Sequence, residues 1–313
     1  MSEPAASASG AEIGWRQAPS HARCADFRRY LSADLDRLTI ASLNRGDVWT
    51  AKAGGRVRRL DWDSEFFGVP AGRLELLWRD PAAPAREAWE ALVPALLRRA
   101  DDMGLVFLDA RIDAEELALA QALEAGGFRL VDALSIYLRD LRGVSPLLPQ
   151  PGVLDVEAFL RTALRDMQWG RLFAEPHVAR EQAEDFYLKT SLHHLARGAL
   201  SAAVHENREL AGVAIGVPEA EGSRLAGRSL GHLWLFIVAP GYKGRGVGKR
   251  LFNQFCAEFA TIVDVVEIGT QIQHAAANRI YRGAGGLPVA HALTFHRWPS
   301  QADTSQADTS RPA

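Results

Sequence analysis

Residues 238–252 read VAPGYKGRGVGKRLF, four glycines and four basic residues set between an apolar run, HLWLFIV, and an amphipathic one, KRLFNQFCAEFA. The apolar run suits a buried strand and the amphipathic run a helix with one face on a core. Between them, Gly244, Gly246 and Gly248 lack Cβ atoms, so the backbone can bend sharply and be approached closely. The bend opens a helix, where unbonded N–H groups and the helix dipole attract anions. Lys243, Arg245, Lys249 and Arg250 add positive charge. A strand, an anion-binding bend and a helix in that order restrict the chain to an α/β fold with a diphosphate cradle at one strand end.

Two phosphate-binding patterns do not fit. A Walker A loop needs Gly, four intervening residues and then Gly-Lys-Ser/Thr, but here Lys243 holds the first position and Arg250 the last. A G-x-G-x-x-G fingerprint fails because its third glycine falls on Lys249 or Leu251, and too little chain follows to build a doubly wound sheet.

The rest of the chain alternates in the same way. A helix is expected at 22–45, strands at 57–60 and 71–78, a helix at 84–103 with Pro94 as a kink point, a strand at 105–112, a helix at 113–125 stopped by Gly126-Gly127, and a strand at 128–138. Then come helices at 154–168 and 178–196, strands at 199–205, 209–217 and 229–238, a helix at 248–261, a strand at 263–270, a helix at 274–283 and a strand at 288–298. The expected division is a disordered tail over 1–20, an N-terminal α/β unit over 21–142, a Pro/Gly-rich linker over 143–152, a second domain over 153–299, and a second disordered tail over 300–313 carrying the duplication QADTS-QADTS.

Charge excludes one class of partner. Lys+Arg total 36 and Asp+Glu 38, a balance with no polyelectrolyte drive towards nucleic acid or an anionic membrane. Two distant cysteines build neither a disulfide framework nor a zinc site. No apolar run approaches the roughly 20 residues that span a bilayer. The first residues lack a signal peptide's basic and apolar regions, so a cytoplasmic location is expected.

The spacing Val238-x-Pro240-x-x-Lys243-x-x-Gly246-x-Gly248 resembles the coenzyme A motif of the GCN5-related N-acetyltransferases, the GNAT superfamily, with Lys243 where Arg or Gln is usual. The resemblance covers roughly residues 150–299. It implies the acyl-CoA N-acyltransferase fold, of α/β or α+β class: a mixed central sheet flanked by helices, here preceded by a smaller, degenerate α/β unit. It also implies that the strand before the loop splays from its neighbour, that acetyl-CoA, the acyl donor, lies in the gap, and that its diphosphate sits on the loop. Phe236, Ile237, Val238, Lys243, Gly244, Arg245, Gly246, Val247, Gly248 and Lys249 are then the cofactor contacts, and no metal is required.

The family's second signature, Asn, Ala three later and Tyr seven later, falls on His274, Ala277 and Tyr281. Seven residues are two helical turns, so 274 and 281 share a face. The resemblance makes Tyr281 the acid that protonates the departing thiolate. His274 replaces the Asn that contacts the cofactor, and Asn278, one turn before Tyr281, is the alternative. Many relatives carry a Glu base on the strand before the loop; HLWLFIV has no carboxylate, which leaves His232, Asp132, His274 or water.

A narrower likeness runs through Leu60-x-Trp62-x-x-x-Phe66-Phe67-Gly68, Gly127-Phe128-x-Leu130-Val131, Thr270-Gln271 and Tyr281. These positions resemble the dTDP-fucosamine acetyltransferases, which acetylate the amino group of a dTDP-linked 4-amino-4,6-dideoxygalactose. The implied reaction is acetyl transfer from acetyl-CoA to a primary amine in a ternary complex, with a nucleotide-linked amino sugar as acceptor and Trp169, Arg171, Phe173 and His177 as its binding residues. An acetyltransferase for an amino acid, peptide or small antibiotic amine stays open, as do a catalytically dead binding protein of the same fold and a homodimeric state.

Overall fold

The computed structural model describes residues 47–147, 155–220, 223 and 228–298. The expected helix at 22–45, both tails and part of the linker lie outside the described residues. Contacts divide the chain into two compact units, one of 1–132 with 292–313 and one of 133–291. The expected boundary at 142 therefore moves to the middle of a strand, because from Leu134 onward that strand hydrogen-bonds into the second unit's sheet.

The first unit contains β1 (Val48–Trp49), β2 (Ala53–Arg59), α1 (Asp61–Phe67), β3 (Ala71–Arg79), α2 (Ala85–Asp102), β4 (Phe107–Asp113), α3 (Leu117–Ala125), the start of β5 (Arg129–Asp140) and the end of β10 (Leu287–Arg297). β2 lies antiparallel to β1 and β3, β3 parallel to β4, and the end of β10 antiparallel to β4. The parallel β3–β4 pair requires a crossover, which α2 supplies. Ala88, Trp89, Leu92, Val93, Leu96 and Ala100 recur at helical spacing on α2 and are all buried, while Pro94 is exposed on the far side of an uninterrupted helix. Fully burying a leucine side chain contributes roughly 1.5–3 kcal/mol, so this stripe fixes the α2 orientation. Arg73 on β3 clamps the buried Asp109 on β4 through two hydrogen bonds of 2.6 Å. α1 is not among the elements expected from the sequence; it is two turns long and has no side-chain N-cap bond to announce it.

The second unit contains the rest of β5, α4 (Val156–Ala163) with a 3-10 turn (Leu164–Asp166), α5 (Arg180–Ala196), β6 (Leu200–Glu206), β7 (Glu209–Pro218), β8 (Leu230–Val238), a 3-10 turn (Pro240–Tyr242), α6 (Val247–Phe259), β9 (Val265–Gln271), α7 (Ala275–Gly283) and the start of β10. Its strands run β5–β9–β8–β7–β6, with β8 and β9 parallel and the other pairs antiparallel. One face carries α6 and α7 over Val247, Leu251, Phe252, Phe255 and Tyr281. The other carries α4 and α5 over Leu160, Leu164, Leu188, Val213, Ile215, Leu235 and Ile237. A helix layer on each face of a mixed sheet is the architecture the alternating pattern predicts.

Candidate active site

β8 and β9 pair only from Leu230–Val265 to Leu233–Ile268. Beyond that β8 continues to Val238 and β9 to Gln271 unpaired with each other, while β8 stays paired with β7 up to Val238. The parting begins at a bulge: Ile215 faces Leu235 but Gly216 faces Leu233, so Trp234 is the extra residue. The bulge changes which face successive side chains reach. Trp234 and Leu235 both join the α4–α5 layer, and Phe236 returns to the α6–α7 layer. From Trp234 to Val238 roughly every second amide of β8 points into the gap, as strand geometry requires, and can donate to a carbonyl placed there.

At the end of β8 the chain bends through Gly244 (φ +77°) and Gly246 (φ +76°), both in the left-handed region that glycine enters at little cost. Gly246 is the N-cap of α6. Of the amides from Gly244 to Arg250, only that of Arg250 has a backbone acceptor, Gly246 O at 3.2 Å. Gly244, Arg245 and Gly246 are exposed and Val247 is buried by its side chain, which leaves its amide at the helix mouth. Unbonded donors at a helix start, beside exposed Lys243, Arg245, Lys249 and Arg250, fit a diphosphate. Two of those cations already have carboxylate partners: Lys243 pairs with Asp166 and Arg250 with Glu206. Gly248 serves a separate need, since a Cβ there would stand 2.8 Å from Ile280 Cδ1; its absence lets α6 and α7 approach.

Tyr281 lies at this junction, almost fully buried, with ring centroids 5.0 Å from Phe252, 5.8 Å from Phe236 and 6.1 Å from Tyr137. Burial, with the nearby Cys256 thiol, holds its hydroxyl above the ordinary tyrosine range, so it keeps its proton at neutral pH. The hydroxyl has no hydrogen-bond partner among the described residues, which leaves its proton available for donation. Asn278 has a different task from the one considered for it. Its Oδ1 accepts from Tyr137 Oη at 2.6 Å, and its Nδ2 donates to the carbonyls of Gln271 and His274 at 2.9 Å each. The amide is thereby committed to tying α7 to β9 and β5.

His274, at the N-cap of α7, is half-buried and stacks on Trp169 at 5.5 Å and 26°. Burial, then the charge of Lys243, pushes its imidazole below the ordinary range. The structure therefore joins one expected cofactor residue to one expected acceptor residue. Of the other acceptor candidates, Phe173 and Arg171 meet α5, while His177 meets a residue of its own loop. Phe173 stacks on Tyr187 at 5.5 Å and 2°, Arg171 lies over Phe186 at 5.7 Å, and His177 Nδ1 meets the buried Glu175 at 2.7 Å. Tyr187 reaches Trp234 at 6.3 Å, so an aromatic row runs from residue 173 to the bulge. Tyr187 and Trp234 were not singled out from the sequence; the signal was their helical and strand registers relative to the glycine loop.

Of the base candidates, His232 sits on β8 opposite Glu267, inside the paired stretch and ahead of the gap. Asp132 belongs to the first unit. Among the described residues no group of three or more His, Cys, Asp or Glu is placed to hold a metal, and no helix is long and apolar enough to cross a membrane.

Residues 162–285 match the model of the Acetyltransferase (GNAT) family. A crystal structure of a GCN5-related N-acetyltransferase from Sphaerobacter thermophilus superposes with a TM-score of 0.51 at 17% identity, over 85% of each chain. One from Kribbella flavida gives 0.50 at 14%, over 88% of this chain and 97% of that one. The chain is also 22% identical over 250 residues to the spore coat polysaccharide biosynthesis protein SpsD of Bacillus subtilis, across 77% of this chain and 82% of the relative. The fold is that of the GNAT acetyltransferases, and the match to that acyltransferase family's model lies within the second unit.

Proposed function

We propose that this GNAT-fold acyltransferase moves an acetyl group from acetyl-CoA to the primary amine of a nucleotide-linked amino sugar. The observation that carries the reading is the unbonded amide cradle at 244–249, set at the end of a strand that parts from its parallel neighbour. Acetyl-CoA supplies an activated thioester. The chain's own groups do the rest. Amides of 244–249 hold the diphosphate, and the free amides of β8 past Trp234 orient the donor and polarise its carbonyl. Tyr281 keeps a proton ready for the leaving sulfur. Holding donor and acceptor together lowers the entropic part of the barrier.

A sugar acceptor is supported by the aromatic row Phe173–Tyr187–Trp234, which suits the flat faces of a base and a pyranose, and by Arg171 and Arg180 beside it, which suit a diphosphate. The Bacillus relative is named for polysaccharide biosynthesis, which points the same way. The test is mass spectrometry of products from acetyl-CoA with a mixture of dTDP-linked amino sugars, amino acids and aminoglycosides. An acetylated nucleotide sugar is expected. Acetylation of another amine alone refutes the acceptor. No product, with no rise in melting temperature on adding acetyl-CoA, refutes the enzyme reading.

A further inference from the structure

The reaction needs a group to take the amine's proton, and no carboxylate lies on β8 to do so. Two residues of the described second unit flank the stretch of β8 where it leaves β9. On the α6–α7 face Tyr281 packs against Phe236. On the opposite face the imidazole of His194, near the end of α5, meets the indole of Trp234 at 4.8 Å, nearly edge-on at 64°. Positions 234 and 236 are about 7 Å apart along a strand, so the two groups pack on side chains of one short segment of β8 from opposite faces of the sheet.

The His194 environment suits a proton acceptor. Trp234 is held by its indole N–H, which donates to Ser191 Oγ at 3.1 Å one turn earlier on α5; the indole against which His194 rests is therefore fixed. His194 is half-buried, and neither ring nitrogen has a hydrogen-bond partner among the described residues. Its own helix brings His193, whose ring lies 6.1 Å away, and Arg197, and β8 brings the uncharged indole of Trp234. Burial first, then His193 and Arg197, push the imidazole below its ordinary range, so it stands neutral with a lone pair at neutral pH.

On the reading proposed above, on which this rests, we infer that His194 is the general base that takes the proton from the incoming ammonium. The step balances as follows. His194 removes one proton and the amine lone pair is freed. The nitrogen forms a bond to the acyl carbon, and the carbon–sulfur bond breaks with its electron pair on sulfur. Sulfur takes the Tyr281 proton, the second amine proton restores the tyrosine through solvent, and His194 releases its proton to water. Net products are the amide, the free thiol and one proton. The amine enters from the α4–α5 face, where the aromatic row ends at Trp234.

The test compares wild type with His194→Gln, using dTDP-4-amino-4,6-dideoxygalactose and the amine mixture as acceptors. Expected are unchanged acetyl-CoA affinity by calorimetry, a kcat/KM lower by on the order of 100-fold, and loss of the acidic limb of the wild-type pH profile. Equal kcat/KM and an unaltered limb overturn the base assignment while leaving the acetyltransferase reading intact. A wild type that binds no acetyl-CoA overturns that reading itself, and the inference with it. Carbethoxylation of the wild-type enzyme gives a check independent of any variant. Inactivation that follows modification of His194, located by fragmentation of its peptide, is expected; inactivation that follows another histidine, or full turnover with His194 modified, overturns the assignment.

Discussion

Replacing Gly246 by alanine isolates the cradle. The backbone there is at φ +76°, and the nearest atom to an added Cβ is Arg250 Nη1 at 3.8 Å, so the methyl has room and the cost is conformational. An L-residue in the left-handed region costs about 1–2 kcal/mol. The chain can carry that strain, at a loss of about 2–8 °C in melting temperature for a domain of this size, or relieve it by rotating the peptides on either side. Rotation turns one of the Gly246 and Val247 amides away from their common point. Each charge-assisted hydrogen bond lost is worth about 1.5–3 kcal/mol, about tenfold or more in affinity. Calorimetry with coenzyme A is therefore expected to show a Kd about 10–100-fold higher for Gly246→Ala. Gly241→Ala is the control, since Gly241 has no positive φ and nothing within 4 Å of its added Cβ. Equal affinity in Gly246→Ala and the control would refute the idea that this bend holds the diphosphate.

Tyr281→Phe keeps every ring contact and removes only an unbonded hydroxyl, so turnover is expected to fall by about 10²-fold or more with coenzyme A affinity and melting temperature unchanged; unaltered kcat removes the acid role. Asn278→Ala breaks the bonds to Tyr137, Gln271 and His274 and is expected to destabilise the fold by about 1–3 kcal/mol while acetyl-CoA affinity per folded molecule holds, measured by denaturant unfolding beside calorimetry. The buried Cys256 thiol is pushed up to about 12 from its ordinary 9.0, chiefly by burial. The unfolded state therefore loses that proton first, and stability is expected to fall as pH rises from 9 towards 12. Cys256→Ala should flatten the start of that decline, and an unchanged profile would contradict the assignment.

Much of the second unit is legible in the sequence because its local signals agree with one another. The glycine bend, the apolar strand before it and the amphipathic helix after it each demand the same topology, and Val247, Leu251, Phe252 and Phe255 line the buried face of α6 as their spacing predicts. The seven-residue interval from 274 to 281 likewise puts His274 and Tyr281 on one helix. Side-chain partnerships are less legible. Asn278 looks equally ready for a ligand or for Tyr137, and only the position of β5 decides. His194 reads as one of two histidines ending a helix; its meeting with Trp234 depends on a bulge that no local pattern announces. The unit boundary is hidden for a related reason: Pro and Gly mark a linker at 143–152, but the contacts divide the chain inside β5, between Asp132 and Ala133, where no Pro or Gly stands.

A crystal of the protein soaked with coenzyme A tests the central claim most directly. The account predicts diphosphate oxygens within hydrogen-bond distance of amides between Gly244 and Lys249, and the pantetheine arm in the gap between β8 and β9. Density for the diphosphate at any other place on the chain would contradict it.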